Sequence, residues 1–198
     1  MINSQMHAPW PTVGQEPWVA ERSPAVYCEI LPVALSSEQI YYLRRRKDGV
    51  GGAWHEPHGH AHPSEVVRAH LEAFLGFSLD PQVSVVHSTA WRYECGGSAG
   101  GRLILTYLAV LAPMCCLPIS HLSGQISLEP LPIALPVRSE TLMPPARIGL
   151  EHVLAHALDH LTLLMETDEA IQTALGDVWR TTLRRRMPRP AGELRLAQ

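Results

Sequence analysis

The stretch Arg102 to Ala112 reads RLILTYLAVLA, and nothing else in the chain limits the fold so strongly. It is apolar on both faces and rich in β-formers, the pattern of a strand buried on both sides. Such a strand needs a layer of structure above and another below, so the chain must be built around a covered sheet. The run is too short to span a bilayer as a helix, which takes about 20 residues. The preceding stretch Gln82 to Glu94 alternates and is joined to it by the flexible GGSAGG of residues 96 to 101. The two are expected to pair antiparallel.

Upstream, Ala25 to Ala34 is a second β-rich run, with Pro32 demoting its end to an edge or bulge. Ser36 and Ser37 read as a turn, and Glu38 to Arg46 as the return strand of a hairpin. Lys47 to Pro63 (KDGVGGAWHEPHGHAHP) reads as a loop dominated by glycine and histidine. Pro63 suits the first turn of a helix, Val67, Leu71, Phe74 and Leu75 follow at helical spacing, and Gly76 is a good stop. A helix is therefore expected over about 63 to 75, with Phe74 buried. A short strand near Gln125 to Leu128 lies within a proline-rich stretch. Arg147 to Glu166 carries one apolar stripe through Leu150, Leu154, Ala157, Leu158, Leu161 and Met165, and a last helix follows over about Asp168 to Arg185, with Thr167 and Asp168 as candidate caps.

At 198 residues with 46% hydrophobic content the chain is expected to form one domain. Residues 1 to 24 form an irregular lead-in, 25 to 186 the domain, and 187 to 198 a frayed tail. A net charge of -3 provides no general basic field for extended nucleic acid, and the basic runs 44 to 47 and 184 to 186 read as solvated element ends. Neither a membrane span nor an export signal is visible, and cysteines 28, 95, 115 and 116 lack zinc-finger spacing. They read as reduced, mostly buried thiols. A soluble cytoplasmic protein is the expectation.

The region 38 to 77 resembles the Nudix hydrolase family. Members show a strand ending in arginines, a W-x-x-P-G-G turn, then G-x5-E-x7-R-E-U-x-E-E-x-G-U running into a helix. Here stand Arg44-Arg45-Arg46, Trp54-His55-Glu56-Pro57-His58-Gly59, Glu65, and a closing Gly76-Phe77. The resemblance implies an α+β fold, a Nudix-like mixed β-sheet sandwiched by helices, with additional C-terminal helices. It also implies a departure in chemistry. Gly59 to Gly76 is four residues short of the family spacing, and the two metal-binding glutamate positions hold Ala73 and Phe74. The family's reaction needs carboxylates converging on Mg²⁺ or Mn²⁺. Glu65 and Glu72, which share a helix face with Arg68, are the candidate catalytic acids, with Glu56 able to join them. The alternative is that Arg68 pairs with both acids on a solvated face.

Eleven histidines are present and they cluster. His58, His60 and His62, with Glu56, are the candidate metal ligands in the loop, where a divalent cation (Mg²⁺, Mn²⁺ or Zn²⁺) would be the cofactor. His152, His156 and His160 recur every fourth residue on the long helix, climbing from its far side toward the edge of the apolar stripe. They read as partly exposed boundary residues, with a metal cluster as the alternative, and His87 is isolated. Arg44 and Arg46 at the strand end, Trp54 in the turn and Arg92 between Trp91 and Tyr93 are the candidate ligand-binding residues, offering cations to a phosphate and aromatics to a base. GGSAGG lacks the lysine of a P-loop, and no G-x-S-x-G is present.

Three functions remain open. The first is a Nudix-like domain that binds a nucleotide-like small ligand without ordinary pyrophosphohydrolysis. The second is a divergent metal-dependent hydrolase of nucleoside-diphosphate-type bonds. The third is a histidine-bound transition-metal protein. A homodimer is compatible with each.

Overall fold

The computed structural model describes residues 25–45, 53–55, 61–80, 84–94, 101–117, 126–131 and 149–194, with only the backbone at Ala25, Arg45, 53–55 and Cys116. The lead-in 1–24 and the last residues, 195–198, lie outside this description. Strand β1 spans Ala25–Ser36 and β2 Gln39–Arg45, a hairpin in register Ser36↔Gln39. Its two turn residues, Ser37 and Glu38, have φ of 48° and 65°. Left-handed backbone at both central positions matches the twist of the flanking strands, the reason this class of turn closes hairpins. β3 (Ala53–His55) lies within the stretch expected to be loop and pairs antiparallel with β1.

Pro32 does not end β1. It falls between the segment paired with β3 (Cys28 to Ile30) and the segment paired with β2 (Val33 to Ser36). At that position a missing N–H costs no antiparallel hydrogen bond.

Helix α1 spans Pro63–Leu75 and ends at Gly76, whose φ of 76° is the left-handed cap that glycine adopts freely. β4 (Val85–Glu94) and β5 (Arg102–Val110) pair antiparallel with an irregularity between Ser88 and Ala90. β5 also runs parallel to β1, so it is central as its composition demands. A 3₁₀ turn (Met114–Cys116), β6 (Ile126–Pro130), α2 (Leu150–Thr167) and α3 (Glu169–Leu183) follow. Asp168 caps α3 through its carboxylate, and Gly176 (φ 69°, ψ -175°) kinks it.

The segment expected to fray after Met187 instead contributes β7 (Gly192–Glu193), parallel to the edge of β4, and buries Leu194. The described strands form one seven-stranded sheet in the order β6-β2-β1-β5-β4-β7, with β3 on β1.

Side-chain alternation gives the sheet two covered faces. Leu31, Val33, Tyr42, Leu108 and Val110 pack with Leu154, Leu158 and Leu161 of α2 and Ile171, Leu175 and Trp179 of α3. Cys28, Ile30, Ala34, Tyr107 and Ala109 pack with Val67, Leu71 and Leu75 of α1. Phe74, expected to be buried, is only partly covered at the rim of this second core, because it sits about 60° round the helix from the middle of the Val67–Leu71–Leu75 line that meets the sheet. Cys28 is buried and its thiol is pushed up by that burial, whereas Cys115 is exposed.

Candidate functional site

Two strands that read as packing surfaces each contain one polar residue in an apolar run, Glu29 in β1 and Thr106 in β5. Both point to the α2 side of the sheet, where Arg92 of β4 joins them. Arg92 donates to Glu29 through both terminal nitrogens, at 2.7 and 3.2 Å, and Thr106 Oγ1 donates to Glu29 Oε2 at 2.9 Å. All three are buried. Burial works against the Arg92 charge, but hydrogen bonding and attraction from Glu29 outweigh it and the net shift is upward. Glu94 extends the network outward, accepting from Arg92 Nε at 3.4 Å and from Arg102. Arg102 also lies over the Tyr27 ring, 5.8 Å from its centroid. Sequence reasoning missed this network. The signal was there in a lone acid and a lone hydroxyl, each inside a strand otherwise made of core residues.

The network corrects the reading of Trp91-Arg92-Tyr93 as a mixed stacking and cationic surface. Neighbouring residues on a strand face opposite ways. Arg92 therefore turns into the α2 side and is consumed by Glu29, while Trp91 and Tyr93 stand on the α1 side with 41% and 51% of their surface exposed. Their β5 partners Leu105 and Leu103 are half-buried. The outcome is an aromatic surface without the guanidinium between its rings. Tyr93 lies across Gly101, where an added Cβ would meet its ring.

Helix α1 was to supply the acids. Glu65 is exposed in its first turn. Glu72 accepts the Leu79 N–H at 2.9 Å, so its carboxylate ties the chain after Gly76 back to the helix. Arg68 forms no ion pair with either acid among the described residues. His62, a candidate metal ligand, is instead the N-cap: its Nδ1 accepts the Ser64 N–H at 3.3 Å and lies 2.6 Å from Ser64 Oγ. The imidazole turns to the helix end because the first-turn N–H groups have no partner inside the helix. Among the described residues no group of three His, Cys, Asp or Glu side chains is arranged to hold a metal.

Arg44 reaches Glu129 of β6 at 3.1 Å, which occupies the cation expected for a ligand. Trp54 is described by its backbone, paired with Glu29. Arg46, Glu56, His58 and His60 lie outside the described residues.

The long-helix histidines part company. His152 Nδ1 accepts the Gly149 N–H at 3.1 Å, closing the start of α2. His156 Nε2 donates to the Thr89 carbonyl, 3.2 Å away on β4. His160, expected at the boundary, is buried at 5% exposure. The segment after α3 covers it, with the Arg189 carbonyl 2.9 Å from His160 Nδ1. Beside it, Asp159 holds Arg186 at 2.8 Å and Arg189 at 3.6 Å, fastening that segment to α2.

No protein-family model matches this sequence, and no curated protein sequence does. Solved structures match at low identity. NrtR of Shewanella oneidensis, a Nudix-fold protein, superposes with a TM-score of 0.53 at 14% identity, over 82% of this chain and 79% of that one. The same protein complexed with a 27mer DNA gives 0.51 at 13%, over 82% and 77%. A MutT/nudix family protein from Enterococcus faecalis gives 0.49 at 13%, over 78% and 69%. The two NrtR likenesses concern the fold alone, and they agree with the element order and the two covered sheet faces: the chain is an α+β protein with a Nudix-like fold.

Proposed function

We propose that this Nudix-like domain binds a nucleotide-like small ligand without ordinary pyrophosphohydrolysis, and that Trp91 and Tyr93 form its stacking surface. The observation that carries the reading is their exposure. Two large aromatic rings stand two residues apart on one strand face, turned outward beside the half-buried Leu103 and Leu105 of β5. A base stacked on an aromatic side chain gains about 1 to 3 kcal/mol, whichever base it is.

Two observations on α1 support the absence of ordinary hydrolysis. Ala73 and Phe74 offer no oxygen ligand, and Glu72 already accepts a backbone N–H. Any cation that a diphosphate brings would have to be met by residues outside this face, Glu56 and the loop histidines among them.

The test is calorimetric titration of the full chain with ADP and with AMP, repeated on Trp91→Ala and Tyr93→Ala. The expected result is saturable binding weakened about tenfold by either replacement, the equivalent of losing about 1.4 kcal/mol of stacking. Binding unaffected by both replacements would move the ligand elsewhere. A duplex DNA titration belongs beside it, since one solved relative is a DNA complex. With a net charge of -3 the expected result is no retention at moderate salt.

A further inference from the structure

After α3 the chain turns back over α2 and reaches the sheet edge. Arg186 holds the Asp159 carboxylate at 2.8 Å and the Ala155 carbonyl at 2.9 Å. Arg189 lies 3.6 Å from the same carboxylate, its N–H donates to the Asp159 carbonyl at 3.1 Å, and its own carbonyl accepts from His160 Nδ1 at 2.9 Å. Gly192 and Glu193 then pair with Ala90 and Trp91 of β4. The Leu194 N–H donates to the Trp91 carbonyl at 2.8 Å, and the Leu194 side chain is buried. A strap that ends in a two-residue strand can open while the core strands stay closed, because segments with few buried apolar contacts open at the least cost.

His160 sits under this strap. A carbonyl oxygen can only accept, so His160 Nδ1 carries the proton that goes to Arg189, and the lone pair of the neutral ring is on Nε2. That Nε2 is closed off from solvent and has no hydrogen-bond partner among the described residues. A second proton would enter there, and with the strap closed the new N–H would face no acceptor, the arrangement that buried donors in folded proteins avoid. The surrounding groups oppose it too. β4 brings His87, its ring centroid 5.3 Å away. His160's own helix brings His156 and Asp159, and the strap brings Arg186 and Arg189, two guanidiniums to one carboxylate. α3 turns the apolar Ile171, Leu175 and Trp179 to the same core. Burial, and then His87, lower the His160 pKa against the pull of the Arg189 carbonyl.

We infer that residues 186–194 form a proton-released clasp: neutral His160 holds the strap against α2, and proton uptake by His160 opens it and frees the Trp91 edge of β4. Once the strap is open, water reaches Nε2 and solvates the imidazolium. The open form therefore takes up the proton more readily than the closed form, and falling pH draws the equilibrium toward opening. Asp159 acts with the opposite sign. Burial raises its carboxyl pKa against the pull of Arg186 and Arg189, so the closed form takes up a proton there more readily, and Asp159 cannot produce opening in acid. Release removes the strand neighbour that fixes the backbone at Trp91. The clasp itself does not depend on what the aromatic surface binds.

Amide hydrogen exchange of the ¹⁵N-labelled full chain tests the clasp directly. The reporters are the Leu194 N–H on Trp91 and the Arg189 N–H on Asp159, with the amides of β5 as the core reference. After correction for the intrinsic pH dependence of exchange, both reporters should open more as pH falls below the ordinary imidazole value of 6.5, by about tenfold per pH unit for one proton, while β5 stays protected. His160→Gln keeps a donor for the Arg189 carbonyl but cannot titrate, so the slope should vanish. Asp159→Asn should open the strap further at every pH and keep the slope. Should His160→Gln fail to fold, the wild-type pattern decides: Leu194 and Arg189 must open together, with that slope, while β5 stays closed. Reporters indifferent to pH, reporters that open only with β5, a slope unchanged in His160→Gln, or a slope lost in His87→Gln instead would overturn the inference and leave the strap a fixed part of the domain.

Discussion

Arg92 on β4 and Glu29 on β1 meet across the intervening strand β5 through two contacts of 2.7 and 3.2 Å, with Thr106 of β5 donating to the same carboxylate. Three central strands are thereby keyed to one another, since a one-residue slip of β4 would carry Arg92 to the opposite face. Glu29→Ala would leave a guanidinium buried without its counter-charge. It should lower stability by about 3 to 5 kcal/mol in urea denaturation, and Glu29→Leu combined with Arg92→Met should regain much of that loss. A single replacement costing under about 1 kcal/mol, as at an exposed pair, would mean that the network does not hold the strands.

The buried imidazole of His160 predicts a pH dependence. Its folded-state pKa is lowered, chiefly by burial, so the unfolded chain takes up a proton at that residue before the folded one does. Its contribution to stability is fully present above the ordinary value of 6.5 and is lost as pH falls from there through the lowered folded value. Thermal unfolding should show a decline in Tm between neutral and mildly acid pH that is shallower in His160→Gln. Equal slopes in the two proteins would contradict the assignment.

The β1–β2 turn predicts a gain. Glu38 holds φ of 65°, a conformation that costs a residue with a side chain about 1 to 2 kcal/mol and glycine almost nothing. Glu38→Gly should therefore stabilise the protein by about 1 kcal/mol, read as a higher denaturant midpoint at unchanged slope.

Along α2 the contrast between Leu158 and His152 tests which face is core. Leu158 is fully buried between the sheet and α3, so Leu158→Ala should cost about 2 to 5 kcal/mol. His152 contributes one capping acceptor, and His152→Ala should cost about 0.5 to 1 kcal/mol. Comparable losses in the two variants would place the stripe wrongly.

What could be read from the sequence, and what could not, follows from which forces are local. Helices α1 and α3 and the β1–β2 hairpin were visible, because their caps, turns and apolar spacing are written within a few residues of one another. Strands β3 and β7, of three and two residues, owe their existence to the neighbours they pair with and carry no periodicity of their own. The partner of Arg92 could not be foreseen without knowing that β1 runs parallel to β5, which brings Glu29 within reach. His160 lies at the edge of the apolar stripe by helical angle alone, and only the return of residues 186 to 194 over α2 buries it. His62 carried a metal reading on composition, yet its place one residue before Pro63 made it a helix cap.

The central claim, binding without turnover, is tested most directly by ³¹P NMR of a nucleoside diphosphate sugar incubated with the full chain and Mg²⁺. The account predicts that the two phosphate resonances shift or broaden as the ligand binds, that Trp91→Ala raises the concentration needed for this change about tenfold, and that no phosphomonoester signal grows. A phosphomonoester accumulating at an enzymatic rate of about 1 per second or faster, and lost in Glu65→Gln or Glu72→Gln, would contradict it.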